Sequence, residues 1–412
     1  MDLLLQPSQL SGVVNIPASK SMAHRAIICA ALCKGIPYVD NVTFSKDIDA
    51  TLSAVKAFGV DYQIIENQIA FSGMRPVKEC VVDCCESGST LRFLIPVAAA
   101  LGIKTTFIGQ GRLPERPITP YIRELSQKGI HFDYNNTMPF TIEGKLQSGT
   151  YHLEGDISSQ FVTGLLLALP LLEGDSEIIL TSPLQSKPYA DMTIDVMKKY
   201  GVFVDETEKG YYIKGNQEYQ AAYNLQDVSI EGDFSQAAFF YVANAIGNNV
   251  TLQNIPENSV QGDRKIVEIL RDMWYTEKEE IFTIHAEDIP DLVPILAVSA
   301  NFAPCTTKIV GAERLRIKES DRLVTTADML NQLGGNVQVN PDGLTIQPTG
   351  TLQGGTVNSA GDHRIAMCTA IAATRSKKPI TLLGAECVTK SYPAFWEDYQ
   401  KLGGIANGIH LE

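Results

Sequence analysis

The chain lacks most of the signals that assign chemistry at a glance. Its eight cysteines form no CxxC pair, and none has histidines at zinc-ligand spacing beside it. The six histidines include no HExxH. No Walker A sequence, no GxGxxG opening a βαβ unit and no GxSxG elbow is present, so nucleotide phosphoryl transfer, dinucleotide redox and serine hydrolysis all miss their usual marks. No apolar run reaches the roughly 18 residues that a membrane helix needs. The first residues, MDLLLQPSQLSG, carry no basic n-region, which predicts a cytoplasmic protein. Excess positive charge is missing too. With 34 Lys and Arg against 47 Asp and Glu, the formal net charge is −13, which excludes a general nucleic-acid binder. An anionic ligand must then be held by a local cationic cluster working against the protein's own field.

What is present is repetition. Helical segments ending in Gly and running into a strand recur about every 70 residues, at LSAVKAFG (Gly59), IRELSQKG (Gly129), TIDVMKKYG (Gly201), DMLNQLGG (Gly334) and WEDYQKLGG (Gly403). One double gap holds KIVEILRDMWYTEKE as a degenerate copy. A second, nearly all-apolar helix recurs out of phase: SKSMAHRAIICAAL, SGSTLRFLIPVAAAL, DISSQFVTGLLLALPLL, DFSQAAFFYVANAI, IPDLVPILAVSA and GDHRIAMCTAIAA. A helix apolar on every side belongs inside. The expected fold is therefore α/β (α+β), six repeats of about 70 residues in two three-repeat domains, with central buried helices and the join near residue 230. The strand LLLQPSQLSGVVNI could serve either domain.

The mouths of the buried helices carry the chemistry. Lys20, Ser21 and Arg25 open the first; Ser87, Gly88, Ser89 and Arg92 the second; Ser158, Ser159 and Gln160 the third. Asp291 opens the fifth, and His363 and Arg364 the sixth. Cations are disfavoured at helix N-termini, so those placed here call for an anion, as do the hydroxyls and free N–H groups. Loops before the other helices add Arg112 and Arg116, Ser186, Lys187 and Tyr189, then Arg314, Arg316, Lys318, Glu319 and Arg322, and finally Lys390.

In order along the chain, ASKSMAHRA, ESGSTLRF, LPERPI, GDISSQFVTGLL, SKPYADMT, IPDLVP, RIKESDRL, GDHRIAM and TKSYPAF resemble the EPSP synthase (3-phosphoshikimate 1-carboxyvinyltransferase) family, from Ala18 to Phe395. KESDRL and GDHRIAM are its specific marks. The resemblance implies the enolpyruvyltransferase (EPT) fold, an inside-out α/β barrel with βαβαββ repeats. Its expected domains are 19–230, and 231–412 with the N-terminal strand, 1–18. It implies transfer of the enolpyruvyl group of phosphoenolpyruvate to the 5-hydroxyl of shikimate 3-phosphate, with release of phosphate, by a monomer that needs no cofactor, metal, nucleic acid or membrane.

Carried over to this sequence, Lys20, Ser21, Arg25, Ser158, Ser159, Gln160, Ser186, Tyr189, Asp291, Arg314 and Lys318 would hold shikimate 3-phosphate. Lys20, Gly88, Arg116, Gln160, Arg322, Arg364 and Lys390 would hold phosphoenolpyruvate, with Ser89 and His363 close by. Addition needs a proton at the methylene carbon and one taken from the hydroxyl, and elimination reverses the roles. Asp291 is the expected base, and Glu319 and Lys20 are alternatives for the carbon-directed proton. Dianionic substrates are expected to draw the two domains together, and glyphosate is expected to inhibit, because Gly88 leaves room beside the donor. Three positions depart from the family. Arg314 replaces a common Asn, Ser89 a common Thr, and Phe93 a common Pro. The closest rival, the UDP-N-acetylglucosamine enolpyruvyltransferases, carries a Cys in the loop matching GQGRLPERP, and this chain has none there. His24 reads as structural, and the repeat around residues 272–291 as trimmed of part of a hairpin.

Overall fold

The computed structural model describes residues 1–221, 229–277 and 280–408. The chain separates into two compact units, one formed by Ala18–Glu231 and the other by Met1–Pro17 with Gly232–Glu412. Each has its own apolar core.

All six apolar segments form helices: α1 (Lys20–Leu32), α3 (Gly88–Leu101), α5 (Ser159–Ala168), α7 (Phe234–Ala245), α9 (Val293–Phe302) and α11 (His363–Ala373). They alternate with the amphipathic α2 (Lys46–Ala57), α4 (Thr119–Ser126), α6 (Lys187–Lys199), α8 (Ile266–Tyr275), α10 (Arg322–Gln332) and α12 (Phe395–Lys401). The apolar helices lie inside because they have no polar face to give to water; in α11 every residue is buried. Side-chain caps fix five of their starts, with Ser19, Ser87, Ser158, Asp233 and Asp362 accepting from first-turn N–H groups. α9 is entered instead through a short 3-10 turn, Pro290–Leu292, which carries Asp291.

The recurring glycines have a backbone reason. Gly59, Gly129, Gly201, Gly334 and Gly403 all sit at φ between 76° and 97°, the left-handed region in which a helix turns into the next strand.

Each repeat lays a small sheet on its helices. The second sheet is typical: Glu79–Asp83 runs parallel to Lys104–Ile108, which pairs antiparallel with Phe140–Gly144, itself antiparallel to Ile130–Asp133. The third and fifth sheets repeat this order. In the sixth, Leu3–Gln6 takes the third place, antiparallel to both Ile380–Leu383 and Ile405–Gly408. The fourth is short: among the described residues Asn249–Gln253 pairs only with Ser11–Asn15, in parallel. The segment around 272–291 goes from α8 to Ile281–His285 with no hairpin among the described residues, which leave out Lys278 and Glu279.

Candidate active site

In the unit Ala18–Glu231, the mouths of α1 and α3 carry the expected cations, and that of α5 carries Ser158, Ser159 and Gln160. Lys20 is the first residue of α1, and its Nζ donates to Asp47 Oδ2 at 2.7 Å. Asp47 lies in the first turn of α2, where a carboxylate suits the helix dipole.

Arg25, 2% exposed, lies one turn deeper. Its Nε donates to Thr193 Oγ1 at 2.7 Å, Nη1 to the Ser21 carbonyl at 2.7 Å, and Nη2 to the Tyr189 carbonyl at 2.9 Å and Thr163 Oγ1 at 3.3 Å. Its guanidinium stands 5.0 Å from the centre of the Phe93 ring. Every acceptor is a neutral oxygen. Burial therefore pushes its pKa down, to about 10.

At the mouth of α3, a methyl group on Gly88 would lie 2.7 Å from Arg116 Nη1, 3.5 Å from Gln160 Oε1 and 3.8 Å from Arg92 Nη1. Three polar side chains thus converge where only a hydrogen fits. Gln160 Oε1 accepts from Arg92 Nη1 at 2.7 Å, and Gln160 Nε2 donates to Ser89 Oγ at 3.1 Å. Ser158 Oγ accepts from Gln160 N–H, and Ser159 opens the buried face of α5. Ser186 precedes α6 at φ 57°, ψ 37°, a left-handed conformation unusual for a serine, and is 3% exposed. Tyr189 follows within the first turn.

Tyr121 of α4 went unread in the sequence. Its hydroxyl reaches the carbonyls of Arg92 at 2.8 Å and Phe161 at 2.9 Å, joining α3 to α5 below the residues they present. Gly164 lets the helices approach, since a Cβ there would meet Tyr121 Oη and the Arg92 carbonyl.

The unit containing Gly232–Glu412 holds a network of alternating charge. Arg322, 1% exposed, donates from Nε to Asp362 Oδ2 at 2.8 Å, from Nη1 to Asp291 Oδ1 at 2.8 Å and from Nη2 to Glu319 Oε2 at 2.5 Å. Arg364 Nη2 lies 3.0 Å from Asp291 Oδ2, and its Nη1 donates to the Asp291 carbonyl at 3.1 Å. Burial alone would raise the Asp291 pKa. The charges of Arg364, Lys318 and Arg322 override it and hold the carboxyl well below the usual range. Lys318 moves the other way. Burial outweighs its carboxylate neighbours and lowers its pKa to about 8.

Asp362 and Asp263 extend the network beyond the residues read from sequence. Asp362 is the completely buried N-cap of α11, and its position inside GDHR was the available signal. Asp263 is buried near Asp291, and burial followed by the Asp291 charge raises its pKa well above the ordinary value. Lys390 Nζ donates to the Gly361 carbonyl at 3.0 Å, two residues before His363. Arg314 Nη2 donates to the Glu287 carbonyl at 2.7 Å.

Two mouths lined with cations and hydroxyls, and a second set in which carboxylates meet arginines, suit the handling of small multivalent anions. Comparison with known proteins decides which. The family model of EPSP synthase (3-phosphoshikimate 1-carboxyvinyltransferase) matches residues 4–399. The chain belongs to the EPSP synthase family. It is 47% identical over 416 residues to the 3-phosphoshikimate 1-carboxyvinyltransferase of Clostridium kluyveri and 43% identical over 424 residues to that of Clostridium novyi, with 97% of both chains covered in each case. Among solved structures, it is similar to EPSP synthase from Acinetobacter baumannii at TM-score 0.81 and 26% identity, covering 99% of this chain and all of that one. The βαβαββ-like repeats and small mixed sheets are those of the EPSP synthase fold. No helix among the described residues is long and apolar enough to cross a membrane.

Proposed function

We propose that the residues gathered at these helix mouths carry out 3-phosphoshikimate 1-carboxyvinyl transfer, the activity of the family, in the shikimate pathway of a cytoplasmic, monomeric enzyme. The observation that carries the assignment of residues is Arg25. A buried guanidinium bonded only to neutral oxygens is stabilised by an anion, and the phosphate of shikimate 3-phosphate supplies one. Ser21 and Tyr189, whose carbonyls accept from Arg25, would complete that pocket with Ser158, Ser159 and Ser186. Asp291, Lys318 and Arg314 are the remaining candidate contacts for the acceptor.

Phosphoenolpyruvate is assigned Lys20, Gly88, Arg116, Gln160, Arg322, Arg364 and Lys390, with Ser89 and His363 as further candidates. The 5-hydroxyl oxygen attacks C2 of the donor, its proton passes to a base and C3 gains a proton. The tetrahedral intermediate then loses a proton from C3 as the bond to the phosphate oxygen breaks. Fixed arginine and lysine charges stabilise the anion throughout.

Asp291 serves as the base. In the free protein Arg364 and Arg322 hold it too acidic for that work. A phosphoenolpyruvate carboxylate that engages the same arginines draws their charge away and raises the Asp291 pKa, so the base is armed by the donor. Glu319, bound to Arg322, and Lys20, bound to Asp47, both remain open as the source of the carbon-directed proton. Gly88, bare of a side chain, lets Arg116 stand at the mouth of α3, where glyphosate should compete with phosphoenolpyruvate.

Incubation with both substrates, followed by 31P NMR, tests the reading. Equal amounts of the enolpyruvyl ether of shikimate 3-phosphate and inorganic phosphate are expected. An unchanged spectrum under conditions where the protein is folded would refute it.

A further inference from the structure

A buried polar layer lies about one helical turn below the mouths of α1, α2 and α3. His24 follows Lys20 by a turn, Thr51 follows Asp47 by a turn, and Thr90 is in the first turn of α3. None of the three is more than 1% exposed. His24 Nδ1 is 2.7 Å from Thr51 Oγ1, and Thr51 Oγ1 is 2.7 Å from Thr90 Oγ1. Thr90 Oγ1 donates to Ser87 Oγ at 2.8 Å, and the Thr90 N–H donates to the same atom at 3.1 Å.

Counting protons fixes the direction of this chain. A hydroxyl has one proton and two lone pairs. Thr90 spends its proton on Ser87, so it accepts from Thr51. Thr51 then has no proton left for His24 and accepts from His24 Nδ1–H; its alternative acceptor, the Asp47 carbonyl, is distant at 3.4 Å. Burial, then the Lys20 and Arg25 charges, holds the His24 pKa well below its ordinary value, so the ring is neutral and Nε2 carries no proton. Consistently, Nε2 is buried with no hydrogen-bond partner among the described residues. At the other end both lone pairs of Ser87 are filled. Its hydroxyl proton has no acceptor among the described residues, and the next residue is Gly88, where a Cβ would meet the side chains of Arg116, Gln160 and Arg92.

We propose that His24, Thr51 and Thr90 form a one-way hydrogen-bond relay that makes Ser87 a donor-only hydroxyl for an anionic oxygen of phosphoenolpyruvate at the mouth of α3. Ser87 is then a further substrate-binding residue, and the other three are positioning residues. The inference rests on the function proposed above and adds a binding group to it.

Two measurements test it. In 15N NMR of the wild-type protein labelled at histidine, His24 should be the neutral Nδ1–H tautomer at pH 7. A neutral Nε2–H ring or an imidazolium would overturn the relay, whatever any variant does. In steady-state kinetics, Ser87→Ala should raise KM for phosphoenolpyruvate roughly ten- to a hundredfold, the worth of a hydrogen bond to a charged group, leaving kcat and KM for shikimate 3-phosphate within about threefold. Thr90→Val should move the same KM in the same direction, and Thr90→Ser should restore it. A KM within about twofold of wild type for Ser87→Ala, or a Thr90→Val effect on melting temperature alone, would refute the donor role. An inactive wild-type enzyme would refute the proposed function instead, and the tautomer would still be readable.

Discussion

Replacing Arg25 by Met separates a structural from a functional reading of that residue. Burial lowers the Arg25 pKa to about 10, so keeping the charge costs about 3 kcal/mol. A cation whose pKa falls on folding costs stability wherever both states are charged. The full cost is present below about pH 10 and is relieved only as pH rises beyond it. Met fills much of the same volume without the charge. The four acceptors are not stranded by the change. Thr163 and Thr193 already lie 3.1 Å apart, Thr193 also donates to the Tyr189 carbonyl at 2.8 Å, and the Ser21 carbonyl belongs to α1. The ligand-free Arg25→Met protein should therefore melt at or above the wild-type temperature. Its affinity for shikimate 3-phosphate should fall by the 2–5 kcal/mol typical of a broken buried charge pair, which is roughly thirtyfold or more. Thermal melts with and without shikimate 3-phosphate read both quantities at once. Wild type should gain stability from the ligand, and the variant should gain little at the same concentration. A variant that loses several kcal/mol of intrinsic stability yet keeps the ligand-induced shift would refute the reasoning and make Arg25 a packing residue.

Other consequences follow from the same geometry. Gly88→Ala puts a methyl 2.7 Å from Arg116 Nη1, so steady-state assays should show KM for phosphoenolpyruvate and the glyphosate inhibition constant rising together, by roughly tenfold or more, with the fold intact. Asp291→Asn should cut kcat by about two to four orders of magnitude with smaller changes in KM. Because Asp291 is held acidic in the free protein, kcat/KM should show no acid limb from it near neutrality, while the acid limb of kcat, which reports the loaded enzyme, should lie at higher pH. Lys318, lowered to about 8, should give kcat/KM for shikimate 3-phosphate an alkaline limb near pH 8, and Lys318→Arg should move that limb upward. The same lowered pKa predicts that the Lys318 contribution to stability rises as pH goes from 8 towards the ordinary lysine value.

The repeat was legible because its signals are local. A helix that must turn into a strand needs a left-handed residue, and Gly59, Gly129, Gly201, Gly334 and Gly403 supply it. A helix with no polar face must be inside, and α1, α3, α5, α7, α9 and α11 are. Lys20 and Arg25 were conspicuous for a similar reason, as cations where the helix dipole disfavours them. What stayed hidden depends on long-range geometry. Four residues, LLLQ, carry no information about their strand partners, and theirs lie some 375 to 405 positions away, at Ile380–Leu383 and Ile405–Gly408. Asp47 as the counter-ion of Lys20, Asp362 beneath Arg322 and the Tyr121 hydroxyl between α3 and α5 all join separate elements. His24 looked like a filler in an apolar helix. Only the positions of Thr51 and Thr90 give its ring a direction.

The central claim is that these helix mouths take shikimate 3-phosphate and phosphoenolpyruvate together. Phosphate release from phosphoenolpyruvate, measured with shikimate 3-phosphate, with UDP-N-acetylglucosamine and with no acceptor, tests it most directly. Release with shikimate 3-phosphate alone, lost in Arg116→Ala mainly through donor affinity and in Asp291→Ala mainly through turnover, is the predicted result. Release with UDP-N-acetylglucosamine, or none with shikimate 3-phosphate, would contradict it.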